Sequence, residues 1–219
     1  MQRIARLLFL FATCTWLASG FAATEVVAGR DYELIKPAQP TESGSKIEVI
    51  EFFSYGCPHC SSLQPSLRAW LKRKPADVEF RRAPVVFQEA WVPFARIYYT
   101  LEAMGLVEKL HHEVFSAIHE QKVRLQEPEV LFGWIASKGV DRKKFQETYN
   151  SFAVQSRTQR AGDITRRYDI PYTPVIVVDG RYLTAPSMTS KGASSIDYDG
   201  FFKVVNQVIA LARKNRGTK

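Results

Sequence analysis

Val49-Ile50-Glu51-Phe52-Phe53-Ser54-Tyr55-Gly56-Cys57-Pro58-His59-Cys60 decides the fold of this 219-residue chain. The residues from Lys46 to Phe53 are rich in β-branched and aromatic types and predict a buried strand. Ser54-Tyr55-Gly56 breaks that run. Pro58 then opens a helical pattern in which Leu63, Leu67, Trp70 and Leu71 recur at helical spacing, as far as Lys72. Proline suits a first helical position, where the N–H it lacks would have no partner anyway. Asp77 to Val86 predicts a second strand, so the stretch reads as the start of a parallel βαβ unit. Its two cysteines stand at the junction of strand and helix.

Outward from this unit the pattern changes. Between Gln88 and Tyr168 the chain shows successive helical stretches: Ala90 to Met104 closed by Gly105, Val107 to Gln121, Pro128 to Lys138 closed by Gly139, Asp141 to Tyr149, and Phe152 to Tyr168. Asp141 is the expected N-cap of the fourth. The strand pattern resumes with Pro174 to Val178, followed by Asp179-Gly180, a strong signal for a two-residue hairpin, and a return strand from Arg181 to Thr184. Ala185 to Asp199 reads as a loop, and Phe201 to Ala212 as an amphipathic helix. Ala23 to Ser45, with Pro37 and Pro40, reads as an extended lead-in. The expected class is α/β, with a helical block of roughly eighty residues set inside it.

Residues 1–22 read as a secretory signal peptide: Arg3 and Arg6, an apolar run from Leu7 to Leu17, then small residues, with cleavage after Ala22. Cleavage removes Cys14 and leaves 3 − 1 = 2 cysteines. Exported proteins live where disulfides persist. A pair separated by two residues closes a tiny loop and gains little loop-closure stabilisation, so this pair is placed for chemistry rather than for structure. The formal net charge of +8 falls to +6 without Arg3 and Arg6. The basic residues are scattered over Lys72-Arg73-Lys74, Arg81-Arg82, Arg166-Arg167 and the C-terminal tail, which reads as solvated faces and a frayed end rather than a nucleic-acid footprint.

A thiol becomes a good nucleophile only as its thiolate. Cys57 is expected at the mouth of a helix, where unpaired N–H groups and the positive end of the dipole favour negative charge. His59, protonated or donating a hydrogen bond, adds to this. A stabilised thiolate favours the reduced form and leaves readily when its disulfide is attacked, so the oxidised protein is expected to pass its disulfide on. Cys60, one turn in, is expected to be more buried. Glu51, inside the apolar run, is expected to be a buried acid with a raised pKa, or else a strand residue that faces solvent or pairs with Arg82.

The run from Val49 to Cys60, the helical block, Thr173-Pro174-Val175 and the Asp179-Gly180 hairpin together resemble the DsbA family of periplasmic thiol:disulfide oxidoreductases, in the thioredoxin superfamily. The resemblance covers nearly all of the chain after the signal segment. It implies a thioredoxin fold, with residues 23–86 and 169–219 as the two parts of the thioredoxin-like domain and 87–168 as an inserted helical domain. It implies that Cys57 is the nucleophile, that Cys60 is its partner in a redox-active disulfide, and that Pro58, His59 and Glu51 tune the site. Pro174 resembles the cis-proline that faces the active-site cysteines, with Thr173 presenting its backbone to the client strand. The resemblance further implies newly exported proteins with free cysteines as clients, a DsbB-like membrane reoxidant, a monomer in the periplasm of a Gram-negative cell, and no metal or organic cofactor. Arg82 stands near a position where the family often has lysine, and Pro84 and Tyr55-Gly56 depart from its best-known pattern.

Three rival readings are weaker. Tetrahedral zinc wants four ligands, and no second cysteine pair exists; His111, His112 and His119 lie on a charged helical stretch and read as surface histidines. Periplasmic disulfide isomerases or reductases of the superfamily carry an N-terminal dimerisation module, for which the roughly twenty residues before the first strand leave no room. A thioredoxin-like chaperone would need an exposed apolar surface, for which Tyr55, Phe87, Trp91 and Phe94 are candidates that core packing explains better.

Overall fold

The structure, a computed structural model, describes residues 25–190 and 192–217; the signal segment 1–22 and Cys14 lie outside the described residues. The elements in chain order are β1 (Glu33–Leu34), β2 (Ile47–Phe53), α1 (Pro58–Leu71), β3 (Val78–Pro84), a single 3-10 turn (Glu89–Trp91), α2 (Val92–Ala103) and α3 (Val107–His119). There follow α4 (Pro128–Ser137), α5 (Arg142–Tyr149), α6 (Phe152–Arg167), β4 (Val175–Val178), β5 (Tyr182–Thr184), α7 (Pro186–Thr189) and α8 (Tyr198–Arg216). The sheet order is β1-β5-β4-β2-β3, a mixed sheet in which β2 runs parallel to β3 and antiparallel to β4.

β2 is flanked by strands on both edges and covered on both faces, and all seven of its residues are buried. That explains a nearly continuous apolar run instead of alternation. Side chains still point alternately to the two faces. Ile47 and Val49 join Leu63, Leu67 and Trp70 of α1 and Phe201, Val205 and Val208 of α8 in one core cluster. Ile50 and Phe52 join Val175, Val177, Leu183 and Tyr168 in the cluster on the opposite face. Phe53 ends the strand in a third cluster with the helices between β3 and β4: Tyr98, Val114, Phe115, Leu131 and Phe145 all belong to it, and so do Cys57 and Cys60. The thiols therefore sit where the sheet meets the helical block.

The βαβ start, five helices between β3 and β4 and the β4–β5 hairpin match the sequence reading, and Asp141 caps α5 through its side chain. Four expectations need correction. The lead-in contains β1, a strand of two residues that pairs with β5 and is too short to show a period. The hairpin loop is three residues, Asp179 to Arg181, because the register pairs Val178 with Tyr182; Asp179 and Gly180 both have positive φ, as a tight mirror-image turn requires. The segment from Ala185 to Asp199 is not all loop: α7 occupies Pro186–Thr189, and Asp197 caps the start of α8 through its side chain. As far as Gly217, the basic tail is not frayed. α8 runs to Arg216, where Arg213 makes two hydrogen bonds to Asp77 and Arg216 pairs with Asp179, tying the last turns to the head of β3 and to the hairpin.

Candidate active site

Cys57 is the N-cap of α1, in extended conformation, and Pro58 follows at the first helical position. The N-cap side chain is the group that the free N–H donors of the first turn address. Here that group is sulfur: the Cys60 N–H donates to Cys57 Sγ at 3.4 Å. No acidic residue occupies the first turn, so the positive end of the helix acts on the thiol without competition. Both thiols are free; Cys57 is 7% exposed and Cys60 fully buried.

Across from the helix, the Thr173–Pro174 peptide bond is cis, and the Cys57 thiol donates to the Thr173 carbonyl at 3.5 Å. The Cys57 pKa is lowered to about 5, first by the hydrogen bond from the Cys60 thiol, against the opposing effect of burial, then by the Thr173 side chain and by the backbone N–H groups of Cys60 and His59. The Thr173 carbonyl serves the thiol form and the hydroxyl serves the thiolate, and the net effect is downward. His59 therefore acts on the sulfur through its backbone N–H, while its side chain is exposed. Cys60 moves the opposite way: burial, the hydrogen bond with Cys57 and the neighbouring negative charge raise it well above an ordinary thiol. One sulfur is built to be an anion and the other to keep its proton.

Glu51 is fully buried on the α1 side of β2. Arg82, its register partner on β3, donates from Nε to Glu51 Oε2 at 3.2 Å, and Gln64 donates from Nε2 to Oε1 at 2.9 Å. Both the buried acid and the Arg82 pair are present, and the solvent-facing alternative is ruled out. Burial raises the Glu51 pKa and outweighs the stabilising charge of Arg82 and the hydrogen bond from Gln64. Gln64 also donates to the Cys60 carbonyl at 3.2 Å, so it joins the acid to the cysteine helix. Sequence reasoning passed over Gln64, although its place four residues after Cys60 puts it on the same helix face.

The histidine reading is also corrected. His111 is buried and His119 half-buried; only His112 is exposed. His111, Phe115 and His119 follow each other at intervals of four, and that stripe faces the core while His112 and Glu113 lie on the outer side. His111 Nδ1 shares a 2.7 Å hydrogen bond with the Tyr55 hydroxyl, and His119 Nε2–H donates to the Tyr55 carbonyl at 2.7 Å. Tyr55 is thus gripped at both ends, two residues before Cys57. Gly56 lies so close to Phe94 that a Cβ would stand 2.6 Å from its ring. Of the four candidate surface aromatics, Tyr55 is buried, Trp91 and Phe94 half-buried, and Phe87 is exposed.

Beside the thiols opens an apolar cleft of about 270 Å³, walled by His59, Tyr172, Thr173, Pro174, Ile196 and Tyr198. Tyr172 adjoins the Thr173-Pro174 motif, but Ile196 and Tyr198 come from a segment that carries none, and only the fold brings them to the cysteines.

Residues 48–198 match the DSBA-like thioredoxin domain family. The thiol:disulfide interchange protein DsbA of Bordetella parapertussis is 40% identical over 192 residues, 88% of this chain and 89% of that protein. The protein of that name from Pseudomonas aeruginosa is 39% identical over 160 residues, 73% of this chain and 76% of its own. Among solved structures, Pseudomonas aeruginosa DsbA superposes with a TM-score of 0.80 at 34% identity, covering 88% of this chain and 97% of that one. The oxidoreductase DsbA of Xylella fastidiosa gives 0.77 at 33% identity, covering 86% and 98%. With a matching region that spans the buried acid, both cysteines, the helices between the strands and the cis-proline, this chain belongs to the DSBA-like thioredoxin domain family.

Proposed function

We propose that this thiol:disulfide oxidoreductase works as a dithiol oxidase, giving its Cys57–Cys60 disulfide to newly exported proteins in the periplasm of a Gram-negative cell. The observation that carries the direction is the opposed tuning of the two sulfurs, with Cys57 lowered to about 5 and Cys60 raised. A thiolate favoured in the reduced protein makes the disulfide costly to keep. In this reading a client thiolate attacks Cys57 Sγ; the S–S bond breaks, its electron pair passes to Cys60 Sγ, and Cys60 takes a proton. A mixed disulfide remains. A second client thiolate attacks the client sulfur of that bond and releases Cys57 as a stable thiolate.

The other residues have roles consistent with their places. Pro58 sets the helix start beneath Cys57. His59 tunes the sulfur through its N–H, and Glu51 supplies the proton that Cys60 needs. Thr173 and Pro174 present backbone to the client strand, whose side chains fit the adjoining apolar cleft. Residues 23–86 and 169–219 act as the thioredoxin-like unit and 87–168 as its helical insertion. That division is supported by a core cluster centred on the helices, distinct from the two clusters on the sheet. The basic, apolar and small-residue segments of 1–22 support export, and a DsbB-like membrane protein is the proposed reoxidant of a monomeric enzyme.

Equilibration with glutathione tests the direction. An oxidase comes to equilibrium mostly reduced at a glutathione poise that leaves a reductase of this fold oxidised; a mostly oxidised protein would refute the proposal. Cys57→Ser separates this from a chaperone role, since a binding module would keep its activity in that variant and an oxidase would lose it.

A further inference from the structure

The turn that carries the chain from β2 to Cys57 is short. The Cys57 N–H donates to the Ser54 carbonyl at 3.1 Å, and the Gly56 N–H donates to Ser54 Oγ at 3.2 Å. Gly56 stands directly before the nucleophile, and glycine has more backbone freedom to lose than any other residue. The Tyr55 carbonyl is held from outside the turn: His119, the last residue of α3, donates Nε2–H to it at 2.7 Å. That carbonyl and the Gly56 N–H belong to one planar peptide unit. His119 grips its oxygen and Ser54 its nitrogen, so the unit is fixed from both sides and the freedom of Gly56 is removed. The Tyr55 side chain is pinned as well. Its hydroxyl shares a 2.7 Å hydrogen bond with His111, and its ring meets Phe53 and Phe115 in T-shaped contacts. The His119 ring is itself stacked on Phe115, with centroids 6.1 Å apart. Phe94 of α2 closes on Gly56 from the same group of helices.

We propose that His119 is a positioning residue for Cys57: by holding the Tyr55–Gly56 peptide from α3, it keeps the sulfur against the free N–H donors of the first turn of α1. The inference rests on the reading of Cys57 as the nucleophile, and it adds a task for the helices between β3 and β4. Cys57 Sγ lies 3.4 Å from the Cys60 N–H, in a direction set by the extended backbone of the N-cap, φ −90° and ψ 117°. Hydrogen bonds weaken steeply as their angle departs from linear. A tilt of the Tyr55–Gly56 peptide turns the N-cap residue and carries its sulfur off those donors, and the thiolate loses part of its stabilisation. His119 acts through the backbone and not on the reacting atoms.

The pH profile of Cys57 alkylation by iodoacetamide, in the reduced wild type and in His119→Leu, His119→Asn and His119→Gln, tests it. The first variant keeps apolar packing against Phe115 and has no donor. The second has an amide donor that stops short of the carbonyl, and the third carries the same donor to about the place of Nε2. In His119→Leu and His119→Asn the midpoint is expected to rise by about half a pH unit, a typical share of what a helix terminus gives a charge. His119→Gln should stay near the wild type. Equilibration with glutathione should shift about threefold toward the disulfide in the same two variants. Thermal midpoints report on the fold. An unmoved profile in His119→Leu and His119→Asn, with the wild type near pH 5, would overturn the positioning role and leave the nucleophile standing; a lowered thermal midpoint beside it would mark His119 as merely structural. An equal rise in all three variants would show that the hydrogen bond is not what matters, and would overturn the role as well. A wild-type midpoint near about 8.5 would remove the reading of Cys57, and this inference with it.

Discussion

Acidification should strip the reduced protein of a stabilisation that its Cys57→Ser variant never has. Folding takes the Cys57 thiol from about 8.5 in an unfolded chain to about 5. A group whose pKa falls on folding stabilises the native state fully above its unfolded value, and loses that contribution as pH drops through its folded value. At pH 7 the unfolded chain holds the proton and the folded one does not, across a gap of about two pH units. At about 1.36 kcal/mol per unit, the thiolate contributes about 3 kcal/mol at pH 7 and nearly nothing at pH 4. Cys60, whose pKa is raised, stays a thiol across this range and adds no slope. The assay is urea unfolding of the reduced protein and of Cys57→Ser at pH 7 and pH 4, with a phosphine reductant present. Serine can still accept at the N-cap, and the carboxylates other than Glu51, on which the Cys57 charge acts weakly, titrate alike in both proteins, so the difference reports chiefly the sulfur. That difference should shrink by about 3 kcal/mol from pH 7 to pH 4. A change of less than about 1 kcal/mol would mean that the helix mouth does not hold an anion, and the reasoning behind the proposed direction of transfer would fail.

Alkylation of Cys57 by iodoacetamide should reach half its maximal rate near pH 5, and Thr173→Val, which deletes a hydroxyl that favours the thiolate, should move that midpoint upward; an unmoved midpoint would remove Thr173 from the tuning. Gly56→Ala should push the Phe94 ring out of place, costing about 1–3 kcal/mol in denaturant unfolding because the added Cβ meets the ring at 2.6 Å; full stability would show that Phe94 yields freely. Phe53 is fully buried among Tyr55, Tyr98, His111 and Phe115, so Phe53→Ala should cost about 3–5 kcal/mol of stability. A cost under about 1 kcal/mol would show that the junction of sheet and helices is loosely packed.

Much of this protein was legible from the chain alone. A seven-residue run that is apolar except for Glu48 and Glu51, a proline after the first cysteine and the Asp179-Gly180 turn act over short distances, and local backbone preference with hydrophobic period is enough to place β2, α1 and the hairpin. Other features were beyond such reading for stated reasons. β1 is two residues long, and its existence depends on pairing with β5, about 150 residues further on. The basic tail looked solvated because its acids, Asp77 and Asp179, are distant in sequence. The histidines of α3 looked like surface residues because charged neighbours masked a stripe at intervals of four.

The site divides in the same way. Sequence alone determined that two thiols stand at a helix start behind a buried strand, because those positions follow from chain-local geometry and from the free N–H donors of a first helical turn. Only the tertiary structure decided that Thr173 meets Cys57, that Gln64 and Arg82 close on Glu51, and that Tyr172, Ile196 and Tyr198 wall a cleft beside the sulfur. The contact of Thr173 with Cys57 alone joins residues 116 apart in the chain. No periodicity records them, because they are made by packing across the sheet and not by the order of residues along the chain.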